Sequence, residues 1–285
     1  MGSFKGHVIP GTLFLVVGIW HLWSSIVSYV SNPRGFRVKA WHPVQGYEGK
    51  LKHLELYLVT GGALLDLCIE LLYSTHFTFF VNGELNPSHL NDFEHSGMLL
   101  MFFIYGVVGL LSEKTRFLPL PEGGLCTVVA AAFCAEYLLF SFHSTAHTGL
   151  EGYYHLLLVF LIALCILSIL LGSIFPTSFP ADLASGLAIT LQGLWFYQTA
   201  FSLYGPMMPE GCHLKNNAIS CRNREQEAYG ESLANLQFFG LVFLTLLGAL
   251  GVYGFAFLQY GRWEELRGLN EEEDVVVDDG LLNRQ

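Results

Sequence analysis

Several stretches of this chain run for about twenty residues or more with scarcely a charge, and each is long enough to cross a hydrocarbon core of about 30 Å as a helix. Lipid offers no partner to a bare peptide group, so such runs fold as spanning helices or as a closed barrel. Bounded by Pro, Gly and charge, the runs predict helices at 7 to 30, 51 to 73, 94 to 112, 123 to 147, 151 to 175, 180 to 204 and 234 to 260. The expected fold is all-α, a seven-transmembrane-helix bundle over residues 1 to 260. Composition agrees: 13% of residues are charged and 52% hydrophobic, against about 25% charged in soluble domains. The first run ends in bulky SIVSYV without a small-residue cleavage site, so it reads as a retained helix and not a signal peptide. Gly6 stands where a myristoylation signal needs Ser or Thr.

Cations give the orientation. With seven spans, Arg34, Arg37, Lys39, Lys50, Lys52, Lys114, Arg116, Arg262, Arg267 and Arg284 share one side, leaving Lys5, Lys215, Arg222 and Arg224 on the other. The positive-inside rule then puts the N-terminus in the lumen or outside the cell and the C-terminus in the cytoplasm. On that topology Cys212 and Cys221 lie in an oxidising compartment and are expected to form a disulfide. Residues 261 to 285 are a polar acidic tail, expected to be disordered, that carries half of the net charge of −10. Its DDGLL string (Asp278, Leu281, Leu282) matches an acidic dileucine signal, which would engage a sorting adaptor and favour the Golgi, endosome or vacuole route over the plasma membrane. A solvated tail is the plainer reading. The lipid bilayer is the expected partner; so acidic a chain makes nucleic acid a poor one.

No Lys or Arg lies in the middle of a span, yet Asp66, Glu70 and Glu136 lie within spans, where a lone ionised carboxylate costs several kcal/mol. They need hydrogen bonds, protonated histidines or a metal ion. At 100° per residue, Glu136, His143 and His147 form one stripe on the fourth helix, and Glu151 and His155 share a face of the fifth. FHSTAHTGLEGYYH therefore reads as a helical hairpin that gathers its polar faces on the lumenal side, with His95 at the same level. Imidazole plus carboxylate is the ligand set of zinc, iron or manganese, and ligands at i, i+4 within a bundle are a way to hold one. The expected ligands are His95, His143, His147, His155, Asp66 and Glu70, with Glu136 or Glu151 as general base. The alternative is a polar cluster that only fixes helix packing. His7 could join the pocket. His53 and Glu55 are expected as interface residues, and His42, His76, His89 and His213 in loops.

GHVIPGTLFLVVGIWH at the start, FEHSGM opening the third span and FHSTAHTGLEGYYHLLL across the fourth and fifth closely resemble the transmembrane protein 45 family, and the chain looks like one of its plant members. The resemblance covers nearly all of the chain except the tail. It implies a multi-pass membrane protein whose shared region is called domain of unknown function 716, and supplies no reaction. A similarly His-rich stretch in animal members singles out His143, His147 and His155.

Three functional classes follow. A lumenal metal that activates water would make a metal-dependent lipid hydrolase. A transporter would need polar groups through the bilayer, and the cytoplasmic half offers only His21, His53 and Glu55; haem, a variant, would need two imidazoles facing across a porphyrin. A scaffold or trafficking factor would act through the tail alone. Whether the chain is an enzyme stays open at this point.

Overall fold

The computed structural model describes residues 3–44, 46, 47, 49–146, 149–215 and 218–261. The acidic tail with Asp278, Leu281 and Leu282, and also His147, lie outside the described residues.

Among the described residues there are seven α-helices: α1 (Phe4–Ser31), α2 (Leu54–Cys68), α3 (Leu90–Lys114), α4 (Glu122–Ala146), α5 (Leu150–Ile174), α6 (Phe179–Tyr204) and α7 (Arg224–Tyr260). Capping sets several of the starts. Ser3, Ser178 and Asn223 each accept a hydrogen bond from a first-turn amide, of Gly6, Ala181 and Gln226 respectively. Asn223, followed by Glu225 and Glu227 in the first turn, begins α7 ten residues before its apolar run, because hydropathy reports contact with lipid and not the helix itself. A π-helical stretch, Ile69–Ser74, continues α2 and carries Glu70. Two small hairpins were not foreseen. In β1 (Phe80–Val81) and β2 (Glu84–Leu85) the turn is Asn82-Gly83 with φ of 55° and 85°, the conformation that a two-residue hairpin requires. In β3 (Cys212–Lys215) and β4 (Ala218–Cys221) the terminal cysteines are cross-strand partners and form the expected disulfide.

Consecutive helices from α1 to α6 pack side by side, and α6 returns to α1, which closes a ring; α7 lies outside, against α1, α5 and α6. The tightest seam is α1 with α6. A Cβ on Gly18 would stand 2.5 Å from the Thr190 amide nitrogen, and one on Gly193 would stand 2.5 Å from that of Leu15, so the two backbones touch where glycine leaves room. Between α1 and α2 the packing is looser, and a groove opens there, walled by Val16, Ile19, Trp20 and Trp23 on one side and Leu54 and Leu58 on the other.

Among the described residues six helical spans are long and apolar enough to cross a membrane, α2 counting together with its flanking turns as Lys50–Ser74; α6 is the exception among the seven helices. The reason is its position. Most of α6 is buried, including Asp182, Ser185, Thr190, Gln192, Thr199 and Ser202, because neighbours surround it and it needs no lipid-facing surface. On α7 the only buried residues are Gly230, Ala234, Ala249 and Ala256, and Leu236, Phe239, Phe243, Leu250 and Leu258 are exposed.

Both hairpins lie on the side where α1 begins, hereafter the hairpin end. The far end carries the residues after α1. This connection is not a solvent loop: Phe36, Val38, Trp41 and His42 are buried. It is stitched down by Val38 N to Pro176 O (2.8 Å), Tyr105 Oη to Ala40 O (2.6 Å) and Trp20 Nε1 to His42 O (3.1 Å).

Candidate functional site

One cavity runs inside the ring of helices, lined by residues of α1 to α6 and of the segment 38–40. It touches both His7 and His21, fourteen positions apart on α1 and so roughly 21 Å along the axis. Its waist is aromatic. Phe14 meets Phe102, Phe133 and Phe196 at ring-centroid distances of 5.7, 6.1 and 5.7 Å, and all four line the cavity. Each end is polar.

At the hairpin end, helical periodicity delivers most of the groups that the sequence singled out. His95 and His143 have ring centroids 5.1 Å apart, His143 and His155 6.2 Å, and His7 and His155 5.8 Å. His95 Nδ1 lies 3.8 Å from Glu70 Oε2, and Tyr204 Oη donates to Glu151 Oε1 at 2.7 Å. Asp66, Glu70, His95, His143, Glu151 and His155 all line the cavity, and His7 joins them. The π-helical stretch changes the helix register between Asp66 and Glu70, a local device often found at functional positions.

Glu136 does not take the place expected of it. It is fully buried and absent from the cavity wall; Gln192 Nε2 donates to its Oε1 at 2.5 Å, and Cys165 Sγ approaches Gln192 Oε1 at 3.4 Å. The fourth-helix stripe thus serves two ends: His143 turns into the cavity and Glu136 ties α4 to α6. Of the two carboxylates expected as general base, Glu151 lines the cavity and Glu136 does not.

The tightest grouping lies at the opposite end. His21 Nε2 is 3.2 Å from Asp182 Oδ1, His42 Nε2 is 3.6 Å from Asp182 Oδ2, and the two imidazoles meet edge to face at 4.5 Å. All three residues are buried, and each offers one ligand atom within 4.8 Å of the others. Among the described residues no other three His, Cys, Asp or Glu side chains meet that spacing, so the expected ligands at the hairpin end are gathered but not drawn together. Glu55 adjoins the trio: it is buried, lines the cavity and accepts from the His42 amide at 2.6 Å through Oε2. It is no interface residue, and the far half of the bundle is more polar than His21, His53 and Glu55 alone suggested. Burial, with the His21 ring beside it, pushes the His42 pKa down to about 4, so the imidazole is neutral at physiological pH.

His42 and Asp182 were missed for different reasons. Asp182 sits in the first turn of α6 after the Ser178 cap, where an acidic residue is ordinary helix chemistry. His42 follows FRVKAW, in which Phe36, Val38 and Ala40 alternate with Arg37 and Lys39. That period of two marks an extended segment with one buried face, and was the available signal.

With the geometry in place, the chain can be set beside known proteins. A family model described as a family of unknown function, DUF716, matches residues 122–254, from the start of α4 into α7. Over that region the chain is similar to the DUF716 family. Transmembrane epididymal protein 1A of Mus musculus is 25% identical over 226 residues, covering 73% of this chain and 69% of the relative. The resemblance to the transmembrane protein 45 family is borne out, and with it a multi-pass integral membrane protein. The matched region holds Asp182, His143 and His155 but not His21, on α1, or His42, in the segment that follows α1.

Proposed function

We propose that this protein holds an amphipathic, lipid-like molecule inside its ring of helices, with the polar group of the ligand at the hairpin end. The observation that carries the reading is the single cavity from His7 to His21 with a phenylalanine waist. An apolar passage inside a membrane protein favours a hydrocarbon chain, and a few convergent polar groups at its mouth fix the head. Imidazoles and carboxylates, from His7, His143, His155 and Glu151, are suited to a head group that carries hydroxyl, amide or amine functions.

The topology belongs to the same reading: seven spans including α6, the hairpin end in the lumen or outside the cell, the C-terminus in the cytoplasm, and residence on an endomembrane. The Cys212–Cys221 disulfide at the hairpin end and the excess of Lys and Arg toward the far end support it. Zinc or iron held by His95, His143, His147 and His155 is a narrower form, tested by metal analysis of a His143→Ala, His147→Ala variant.

The decisive experiment is saturable binding of a fluorescent long-chain amine to protein in nanodiscs, repeated with Ala63→Trp. Ala63 is buried and lines the cavity, so the indole should fill the passage and lower affinity by roughly tenfold or more, one kcal/mol-scale contact or several being lost. Equal, non-saturable uptake by both proteins would overturn the reading.

A further inference from the structure

We infer that His21, His42 and Asp182 form a binding site for a divalent transition-metal ion of the zinc type at the far end of the bundle. The site lies a membrane half away from the His-rich hairpin end, and it does not depend on what fills the cavity.

Three features of the cluster point to an ion and not to packing alone. The donors are two imidazole Nε2 atoms and one carboxylate, the mixed nitrogen and oxygen set that zinc and its neighbours take, and all lie within 4.8 Å of one another. Donors about 2 Å from a tetrahedral ion stand about 3.3 Å apart, so the 3.2 and 3.6 Å separations to the two carboxylate oxygens already suit one, and only the widest spacing within the 4.8 Å group has to contract. Two polar atoms are also left without a hydrogen bond: His42 Nε2 and Asp182 Oδ2 face each other at 3.6 Å, beyond hydrogen-bond range, and have no other hydrogen-bond partner among the described residues, although His42 is 3% and Asp182 1% exposed. Buried polar groups without a hydrogen bond are costly, and a cation shared between them would satisfy both.

The surroundings are those of a ligand set held in place. Asp182 is fixed in the first turn of α6, and His21 projects from α1 across the glycine seam that locks these two helices. His42 is positioned through its backbone: its amide donates to Glu55 and its carbonyl accepts from Trp20. His21 and Asp182 both line the cavity, so three protein donors would leave a position facing it, the arrangement of sites that bind an exchangeable fourth group. A porphyrin does not fit between rings 4.5 Å apart.

The test is Co²⁺ titration of the full chain, purified in detergent, stripped with EDTA and followed by visible absorption, with elemental analysis of zinc-reconstituted samples. The expectation is about one ion per chain and ligand-field bands characteristic of a low coordination number. His42→Ala and the near-isosteric Asp182→Asn should each weaken binding by roughly 100-fold, whereas His143→Ala with His155→Ala should leave it unchanged. Asp182→Asn guards against loss through misfolding, and thermal melting of each stripped variant verifies that it is folded. Failure of the wild type to take up Co²⁺, or binding lost with the hairpin-end histidines and kept in folded His42→Ala, would overturn the inference. The second result would support a metal in the chamber head instead, and loss of long-chain amine binding with Co²⁺ binding intact would sink the chamber alone.

Discussion

The two ends of the cavity are made of the same residue types and are built in opposite ways. At the hairpin end, His95, His143 and His155 stand with ring centroids 5.1 to 6.2 Å apart, close to the cavity mouth and contributed by successive helices. At the far end, two imidazoles and one carboxylate are compressed into a buried knot whose members are clamped by the glycine seam and by a tucked-in connecting segment. Loose arrangement leaves room for a ligand head that brings its own hydrogen bonds. Tight arrangement suits a small hard object such as an ion. Chemistry of the side chains alone would not have separated the two; spacing does.

The difference can be broken first at Asp182. Asp182→Ala strands two buried imidazoles and should cost about 3–5 kcal/mol. Thermal unfolding in detergent should show a drop far larger than that of His143→Ala, and comparable losses at the two ends would erase the distinction. Next comes the hairpin end itself. Replacing Cys212 and Cys221 together with serine opens a short cross-link, with a sequence separation of 9, and should cost about 2–3 kcal/mol by the chain-entropy estimate. Amide exchange should rise in β3 and β4 and stay unchanged in residues 36 to 42.

A smaller effect tests the clamp. Tyr105→Phe removes the hydrogen bond to the Ala40 carbonyl and should cost about 1 kcal/mol, visible as faster proteolysis of the segment around Lys39 while long-chain amine binding persists. Smallest is Tyr204→Phe, which deprives Glu151 of its phenol donor. Stability should fall by about 0.5–1 kcal/mol, and the effect that matters is a change in amine binding with Co²⁺ uptake untouched. A shift in the metal titration would show that the ends are coupled.

What could be read from the sequence follows from how far apart the parts lie along the chain. The existence of the helices was legible, since lipid selects long apolar runs: the run at 151 to 175 corresponds to Leu150–Ile174, whereas α7 starts ten residues before its apolar run. His143 and His155 were legible as neighbours because a helix repeats every 3.6 residues and consecutive helices α4 and α5 pack side by side. His21 and Asp182 are separated by 161 positions, and no periodicity links them. Only the closure of α6 onto α1 brings them together, and the signature of that closure is the small-residue pairing of Gly11 and Gly18 with Gly186 and Gly193. Glu136 shows the converse error. It shares a helix face with His143, but Gln192 on α6 claims it, and a single-helix argument does not see the facing helix.

The glycine seam also decides where the ring can part. With backbone against backbone, α1 and α6 behave as one double-width post, and neither can lean away without opening a gap that glycines have no side chain to fill. The seam on the other side of α1 has no such rivet: the groove between α1 and α2 is walled by side chains and shares Val17 and Glu55 with the inner cavity. A door hung on the α1–α6 post would swing at α2. Exchange of a greasy occupant would then proceed sideways, from the acyl region of the bilayer, and its rate would answer to the stiffness of the surrounding lipid more than to anything dissolved in the water on either side.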